Sequence, residues 1–464
     1  MTQPIKMTAN QLLATDHQKP FKVYAARHLE RIPQVQALPA EMRFEMQVIA
    51  NVLPFRVNDY VLENLIDWGN IPDDPMFRLL FPQREMLAAD DFSLIADLMK
   101  RQAPAEQLAQ AVETVRTKLN PHPAGQMELN VPIFHQQRVQ GLQHKYRETV
   151  LFFPSQGQVC HSYCTFCFRW PQFVGDKDLR FASKEADELL RYLKHHTQVS
   201  DILFTGGDPM VMKTANFEPY LRGLLKPRLE HVQTVRIGTK SLSFWPQRFV
   251  TDPDADDLLR LLESLVKAGK HVAIMAHYNH WRELDTPMAH EAIRRLRSTG
   301  AIIRSQGPLL NHINADAEVW VKMWREQVRL GIVPYYMFVE RDTGAQHYFE
   351  VPLAKAWEIY RTAMRRVSGL ARTARGPSMS ASPGKVEIQG VVEIRGEKVF
   401  VLRFIQGRNP HWVQKPFFAK YDEQATWLNH LKPALGAKQF FYEAEYADMI
   451  AHRQEILTEL EGEC

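Results

Sequence analysis

The sequence predicts an α/β protein built around an open (β/α)6 barrel, with an N-terminal helical extension and a C-terminal α+β extension. Three observations carry this. Between about residues 150 and 340, short apolar runs alternate with longer amphipathic stretches, the pattern of repeated βα units on a parallel sheet. A polar or glycine-rich cluster follows each apolar run, and the carboxyl ends of strands are where a barrel keeps its reacting groups. Three of the four cysteines in 464 residues, Cys160, Cys164 and Cys167, fall in the first of these clusters.

Taken in order, residues 1–20 are polar and expected to be loosely held. From about 25 to 118 the pattern is helical, with apolar residues at three- and four-residue spacing in Met42-Arg43-Phe44-Glu45-Met46 and in Phe92-Ser93-Leu94-Ile95. Prolines at 54, 72, 75 and 82 break it into short pieces. Residues 119–137 read as a connector, so the expected divisions are 1–140, 141–345 and 346–464. Strands are expected near 150–153, 202–205, 235–238, 272–276, 302–304 and 333–338. The helices between them repeat apolar residues on one face, as in Leu258, Leu262 and Leu265, or Ala292, Ile293 and Leu296. Beyond Tyr360, Gly376-Pro377-Ser378-Met379-Ser380-Ala381-Ser382-Pro383-Gly384-Lys385 reads as a small-residue loop ending in a lysine. Residues 391–394 and 399–402, joined around Gly396, read as a hairpin, and 419–464 as amphipathic helices packed on the body or on a second subunit.

Composition excludes some classes. Hydrophobic residues at 45% and charged residues at 24% are ordinary for a globular chain. Lys+Arg 57 against Asp+Glu 53 leaves +4, too balanced to make nucleic acid the main partner. The N-terminus has no apolar signal core and no apolar run is long enough for a bilayer, which makes a cytoplasmic protein with no membrane partner the expectation.

In such a setting, thiolates this close in sequence point to a soft metal centre rather than a disulfide. Structural zinc takes four ligands, usually as two separated pairs, and no second pair exists here. A four-iron cluster normally takes four thiolates, so three leave one iron open for chemistry. Two blander readings stand beside this one: structural cysteines clustered by chance, and a zinc site completed by His161.

The stretch Cys160-His161-Ser162-Tyr163-Cys164-Thr165-Phe166-Cys167, a CxxxCxxC with an aromatic residue before the last cysteine, resembles the radical S-adenosylmethionine (SAM) superfamily. The resemblance implies a partial TIM-type barrel of the radical SAM kind and a [4Fe-4S] cluster whose open iron binds SAM. An electron from the cluster then cleaves SAM to methionine and a 5′-deoxyadenosyl radical. From about 25 to 405 the chain is also similar to the lysine 2,3-aminomutase family. The phrases that carry this are Leu53-Pro54-Phe55-Arg56-Val57, Pro72-Asp73-Asp74-Pro75, Phe204-Thr205-Gly206-Gly207-Asp208, Val235-Arg236-Ile237-Gly238-Thr239, His277-Tyr278-Asn279-His280, Gln306-Gly307-Pro308-Leu309-Leu310 and Val333-Pro334-Tyr335-Tyr336.

That family uses cluster, SAM and pyridoxal 5′-phosphate (PLP), and the resemblance assigns roles by position. Gly206, Gly207 and Asp208 fall where the family holds the SAM amino group, and His277 and Gln306 match polar residues near SAM or the cofactor. Arg169 matches the arginine that pairs with the substrate carboxylate, a task that suits a guanidinium fork. Lys385 stands in the place of the Schiff-base lysine, although most of the family's loop glycines are missing. Lys145, Tyr146 and Arg147 lie at the phosphate site: Lys145 matches one family arginine, Thr149 replaces the other, and Arg147 is placed to compensate. The lysine-specific enzymes hold the distal ammonium with two aspartates. One corresponds to Arg341 without a gap or to Asp342 with one, and the other falls near Ser378, which disfavours free L-lysine.

The expected enzyme is therefore an aminomutase-like isomerase. It moves the α-amino group of a free amino acid to the β carbon through a PLP aldimine and the deoxyadenosyl radical. The resemblance also implies an electron donor such as flavodoxin or ferredoxin, and a homodimer. Two alternatives are a radical SAM enzyme on this scaffold without PLP, and a non-catalytic metal-binding scaffold.

Overall fold

The computed structural model describes residues 21–120, 129–174, 183 and 186–462. The expectations for residues 1–20, for part of the connector and for the last two residues of the tail lie outside these. One sheet of eleven strands, laid out in chain order, organises the molecule. Its strands are β1 (Leu142–Tyr146), β2 (Thr149–Phe152), β3 (Asp201–Phe204), β4 (Thr234–Thr239), β5 (His271–His277), β6 (Ile302–Leu309), β7 (Val333–Val339), β8 (Arg375–Ser380), β9 (Gly384–Ile394), β10 (Glu397–Gly407) and β11 (Pro416–Lys420). Pairing is parallel from β2 through β8 and antiparallel at both flanks.

All six expected barrel strands are present as β2 to β7, each buried on the sheet and followed by helix. The helix Ala255–Lys267 buries Leu258, Leu261, Leu262 and Leu265, and Pro287–Ser298 buries Ala292, Ile293 and Leu296, so the 3.6-residue pattern reports the sheet-facing stripe.

The expected loop at 376–385 is instead β8, its turn and the start of β9. The reason is crowding. A Cβ on Gly376, at φ +150°, would collide with the Met337 carbonyl oxygen, so this strand runs in small residues where strand signals are usually large and branched. The 391–402 hairpin forms as read, with Arg395 (φ 52°) and Gly396 (φ 78°) supplying the two left-handed turn positions. The tail departs from expectation: β11 and irregular turns precede a single helix, Glu443–Gly462, whose described side chains are mostly exposed apart from Leu457.

The N-terminal region packs helices Ala40–Val52, Ala89–Lys100 and Ala105–Leu119 into the same apolar core as the barrel. Pro75 does not end a helix but opens one, Pro75–Leu80. The buried Asp74 caps it by accepting from Phe77 N at 2.8 Å, and pairs with Arg282 of the barrel.

The two flanks of the sheet meet across a seam of side chain to backbone contacts. Lys145 Nζ, on β1, donates to the Ala381 carbonyl in the β8–β9 turn at 2.6 Å. Arg408, just after β10, donates to Ser382 O at 2.9 Å, Leu129 O at 3.3 Å and Asn130 Oδ1 at 2.6 Å. Among the described residues no helix is long and apolar enough to cross a membrane.

Candidate active site

The cysteine loop leaves the end of β2 and is held from below by the N-terminal region. Tyr163 N donates to Arg56 O at 2.8 Å and Thr165 N to Leu79 O at 3.0 Å, while the Thr165 hydroxyl reaches Arg78 O at 2.9 Å. Phe166 stacks on His277 at the end of β5, with ring centroids 5.8 Å apart, and so ties the last cysteine to the barrel. Cys160, Cys164 and Cys167 keep partial accessibility while enclosed by protein. Burial pushes all three thiols up, Cys167 to about 11 and Cys160 well above the ordinary range; Asp208 and the other two cysteines add to it at Cys160, whereas Arg169 offsets part of it at Cys167 and Lys240 part of it at Cys164. Three thiols that resist ionisation together become thiolates when a strongly positive centre displaces their protons.

Among the described residues no three His, Cys, Asp or Glu side chains converge on a point that a single ion would fill. In an iron–sulfur cluster, by contrast, each thiolate takes its own iron. His161, the fourth ligand of the zinc reading, is packed between Trp245 (4.0 Å) and Phe21 (4.9 Å).

The Gly-Gly-Asp turn after β3 lies directly against this loop. A Cβ on Gly207 would come within 2.5 Å of Val159 N, and one on Gly206 would overlap the Gln158 amide, so the glycines admit the cysteine loop itself. Asp208 N donates to Gly157 O and Val159 O, both at 3.0 Å. The Asp208 carboxylate accepts from Met210 N, Thr239 Oγ1, Lys240 N and Ser241 Oγ, all at 2.9 Å. Next to it Lys240 Nζ donates to Asn279 Oδ1 at 2.9 Å and to the fully buried Glu283 at 2.7 Å. The ends of β3, β4 and β5 are thus joined by a polar network centred on Asp208 and Lys240.

The second group of expected residues is enclosed within the sheet. Lys385 begins β9 opposite Ser380, and its Nζ lies over the rings of Tyr336 (4.1 Å) and Phe338 (5.4 Å), which alternate on β7. Burial, with Arg236 and Arg375 nearby, lowers its ammonium to about 7. Burial lowers Lys145 well below the ordinary lysine range, helped by Arg408, Arg341 and Lys385. Tyr146 lies in the same group, 5.4 Å from the Lys145 ammonium, and burial raises its phenol.

Arg169 places its guanidinium over Phe153 (4.4 Å) and Phe168 (5.3 Å), with burial lowering it to about 10. Arg341 sits 5.0 Å from the same Phe168 ring.

Not every expected residue joins these groups. Arg147 is exposed on the turn between β1 and β2, where a side chain points to water, so the expected compensation at the phosphate site does not come from it. Thr149 is turned away as well, donating to Asp201 at 2.8 Å, and Asp201 is paired with Arg236. His277 and Gln306 are register partners on β5 and β6. Burial and Lys240 keep the His277 imidazole neutral. Sequence reasoning met Arg341 only as the counterpart of an aspartate that holds the lysine ammonium, and did not count Arg375 or Arg408 among the site residues, because they come from distant segments and share no local pattern.

The residues fit an anionic, hydrogen-bonding guest. Nη1 of Arg169, Nε of Arg341, Nδ1 of His277, the Tyr278 hydroxyl and Nδ2 of Asn279 are all buried without a hydrogen-bond partner, although buried polar groups are normally satisfied. The thiols, the lysine lowered to about 7 and the cation cluster match respectively the soft metal centre, the carbonyl group and the phosphate of the cofactors the sequence suggested.

Comparisons with known proteins agree. No protein-family profile matches the chain. It is 31% identical over 396 residues to a protein of Aquifex aeolicus (strain VF5) named putative L-lysine 2,3-aminomutase, spanning 85% of this chain and 92% of that one. It is 26% identical over 313 residues to the L-lysine 2,3-aminomutase of Fusobacterium nucleatum, spanning 67% and 68%. To that of Clostridium subterminale it is 28% identical over 232 residues, spanning 50% and 52%. Among solved structures, that of Streptococcus suis SuiB aligns over 62% of this chain and 60% of its own, at 14% identity and a TM-score of 0.34, too low to carry an argument.

Proposed function

The chain belongs to the lysine 2,3-aminomutase family of radical SAM isomerases, and from that premise we propose that it moves the α-amino group of a free amino acid to the β carbon, with a substrate other than, or in addition to, lysine. When bound, the cluster and SAM supply the hydrogen-abstracting radical, and PLP on the chain carries the migrating nitrogen. A low-potential donor such as flavodoxin or ferredoxin delivers the electron.

Each residue's part follows from its surroundings. Cys160, Cys164 and Cys167 hold three irons on a loop whose backbone is already tied down, so cluster loading reorganises little. Asp208 acts chiefly as a brace, since its oxygens already accept four hydrogen bonds, and the contact with SAM falls to the Gly206-Gly207 backbone and to His277 and Gln306 at the neighbouring strand ends. Lys385, lowered to about 7, presents an unprotonated amine to the cofactor's carbonyl near neutral pH. Lys145 lies 2.6 Å from the Ala381 carbonyl and is close in space to Arg408, which suits a phosphate. Arg169, buried with an open N–H, takes the substrate's α-carboxylate. The enclosing sheet keeps water and stray hydrogen donors from the radical.

The single observation that carries the reading is Lys385: an enclosed lysine on an aromatic face, surrounded by cations and lowered to about 7. Its test is borohydride reduction of the PLP-treated protein followed by peptide mapping. The label is expected on Lys385. A label elsewhere, or a Lys385→Ala protein that forms β-amino acid at the full rate, would overturn it.

A further inference from the structure

We infer that the preferred substrate carries a second carboxylate at the end of its side chain, an amino acid of aspartate or glutamate length, and that Arg341 is the residue that selects it. This rests on the reading above, which supplies the α-amino and α-carboxylate ends.

Three observations lead there. Arg341 is enclosed by protein, its Nε is buried without a hydrogen-bond partner, and no ion pair closes on it among the described residues. It lies next to the acceptor of the α-carboxylate, since the Arg341 and Arg169 guanidiniums sit 5.0 and 5.3 Å from the same Phe168 ring. A short dicarboxylate bridges two such forks. Two further cations lie close by, because Arg341 is near enough to Arg169 and to Lys145 for like-charge repulsion to be felt at both.

Candidate counter-ions do not cancel this. The adjacent carboxyls Glu340 and Asp342 attract Arg341, yet neither forms an ion pair with it. An ammonium at the end of a substrate chain would meet two guanidiniums and a lysine. An uncharged side chain would leave the Arg341 fork unsatisfied.

Arg341 has one competing role, as a ligand of the cofactor phosphate beside Lys145, and the experiment separates the two. Cluster-reconstituted full-length protein treated with PLP is titrated with L-glutamate, L-aspartate, L-lysine and L-norvaline, followed by the shift of the cofactor's visible absorbance. One of the two acids is expected to bind about 100-fold more tightly than lysine or norvaline, and Arg341→Gln to remove that preference while leaving PLP bound. Lysine or norvaline binding as well as the acids would overturn the inference. So would loss of PLP from Arg341→Gln, which would assign Arg341 to the phosphate.

If wild-type protein takes up no PLP, the proposed function fails, but the inference is still measured by calorimetry with glutarate. Binding to wild type that Arg341→Gln weakens by about tenfold or more supports it. Binding that is absent, or equal in the two proteins, overturns it.

Discussion

The Gly-Gly-Asp turn that braces the cysteine loop and the cation cluster around Lys145 and Lys385 lie against the same sheet, yet they balance charge in opposite ways. On the turn that braces the cysteine loop the charges have protein partners: Asp208 accepts four hydrogen bonds, and Lys240 is shared between Asn279 and Glu283. In the cluster, Lys145, Lys385, Arg341 and Arg375 gather with little negative charge to answer them, and burial lowers three of the four. The first arrangement is a finished piece of scaffold that fixes a loop. The second leaves its positive charge largely unanswered among the described residues, the mark by which a binding region differs from a bracing one.

Substitutions should therefore act differently on the two sides. The largest effect is expected from Cys167→Ala, which should lose cluster iron and all SAM cleavage, measured by metal analysis and 5′-deoxyadenosine release; retained iron with full cleavage would break the contrast at its root. Lys385→Ala comes next, lowering β-amino acid formation by at least about a thousandfold while leaving iron content and SAM cleavage near wild type.

Gly207→Ala should act on the cysteine side alone. It would drive a methyl into Val159, cost about 1–3 kcal/mol and reduce iron retention, with PLP binding preserved. Lys145→Met should do the reverse, weakening PLP about tenfold to a hundredfold with normal iron. Arg147→Ala, on the exposed turn, should change cofactor affinity by less than about twofold.

Acidity sharpens the same contrast. Lys385 is lowered to about 7 from its ordinary 10.5, so between those values the unfolded chain binds more protons than the folded one. The stability of cofactor-free protein should then rise with pH through that window, on the order of a few kcal/mol in total, and level off below it. Denaturant titrations of wild type and Lys385→Met would check this, the variant losing the slope.

Much of this was legible beforehand, and what was not has a common cause. β2 to β7 could be read because buried parallel strands are apolar and their helices carry one apolar face. The three thiols and Gly206-Gly207-Asp208 could be read because their partners lie nearby in sequence or at successive strand ends. β8 was hidden because close packing against Met337 demands small residues, which look like a loop. Arg375 and Arg408 were hidden because only the closing of the sheet brings them near Lys145 and Lys385, whereas Arg341 was met at the substrate end with no sign that it joins them. The Gly-Gly pair, placed by resemblance at the SAM amino group, makes its close approach to the cysteine loop.

The seam between β1 and the β8–β9 turn gives the molecule a mechanical asymmetry. Strand ladders are neutral and continuous, whereas this joint rests on two cationic tips, Lys145 and Arg408, set against carbonyl and amide oxygens, the same two proposed to suit the phosphate. Backbone amides flanking residues 129–131 and 381–382 should accordingly exchange with deuterated solvent before those of β3 to β6, and filling the neighbouring anion position should slow them first.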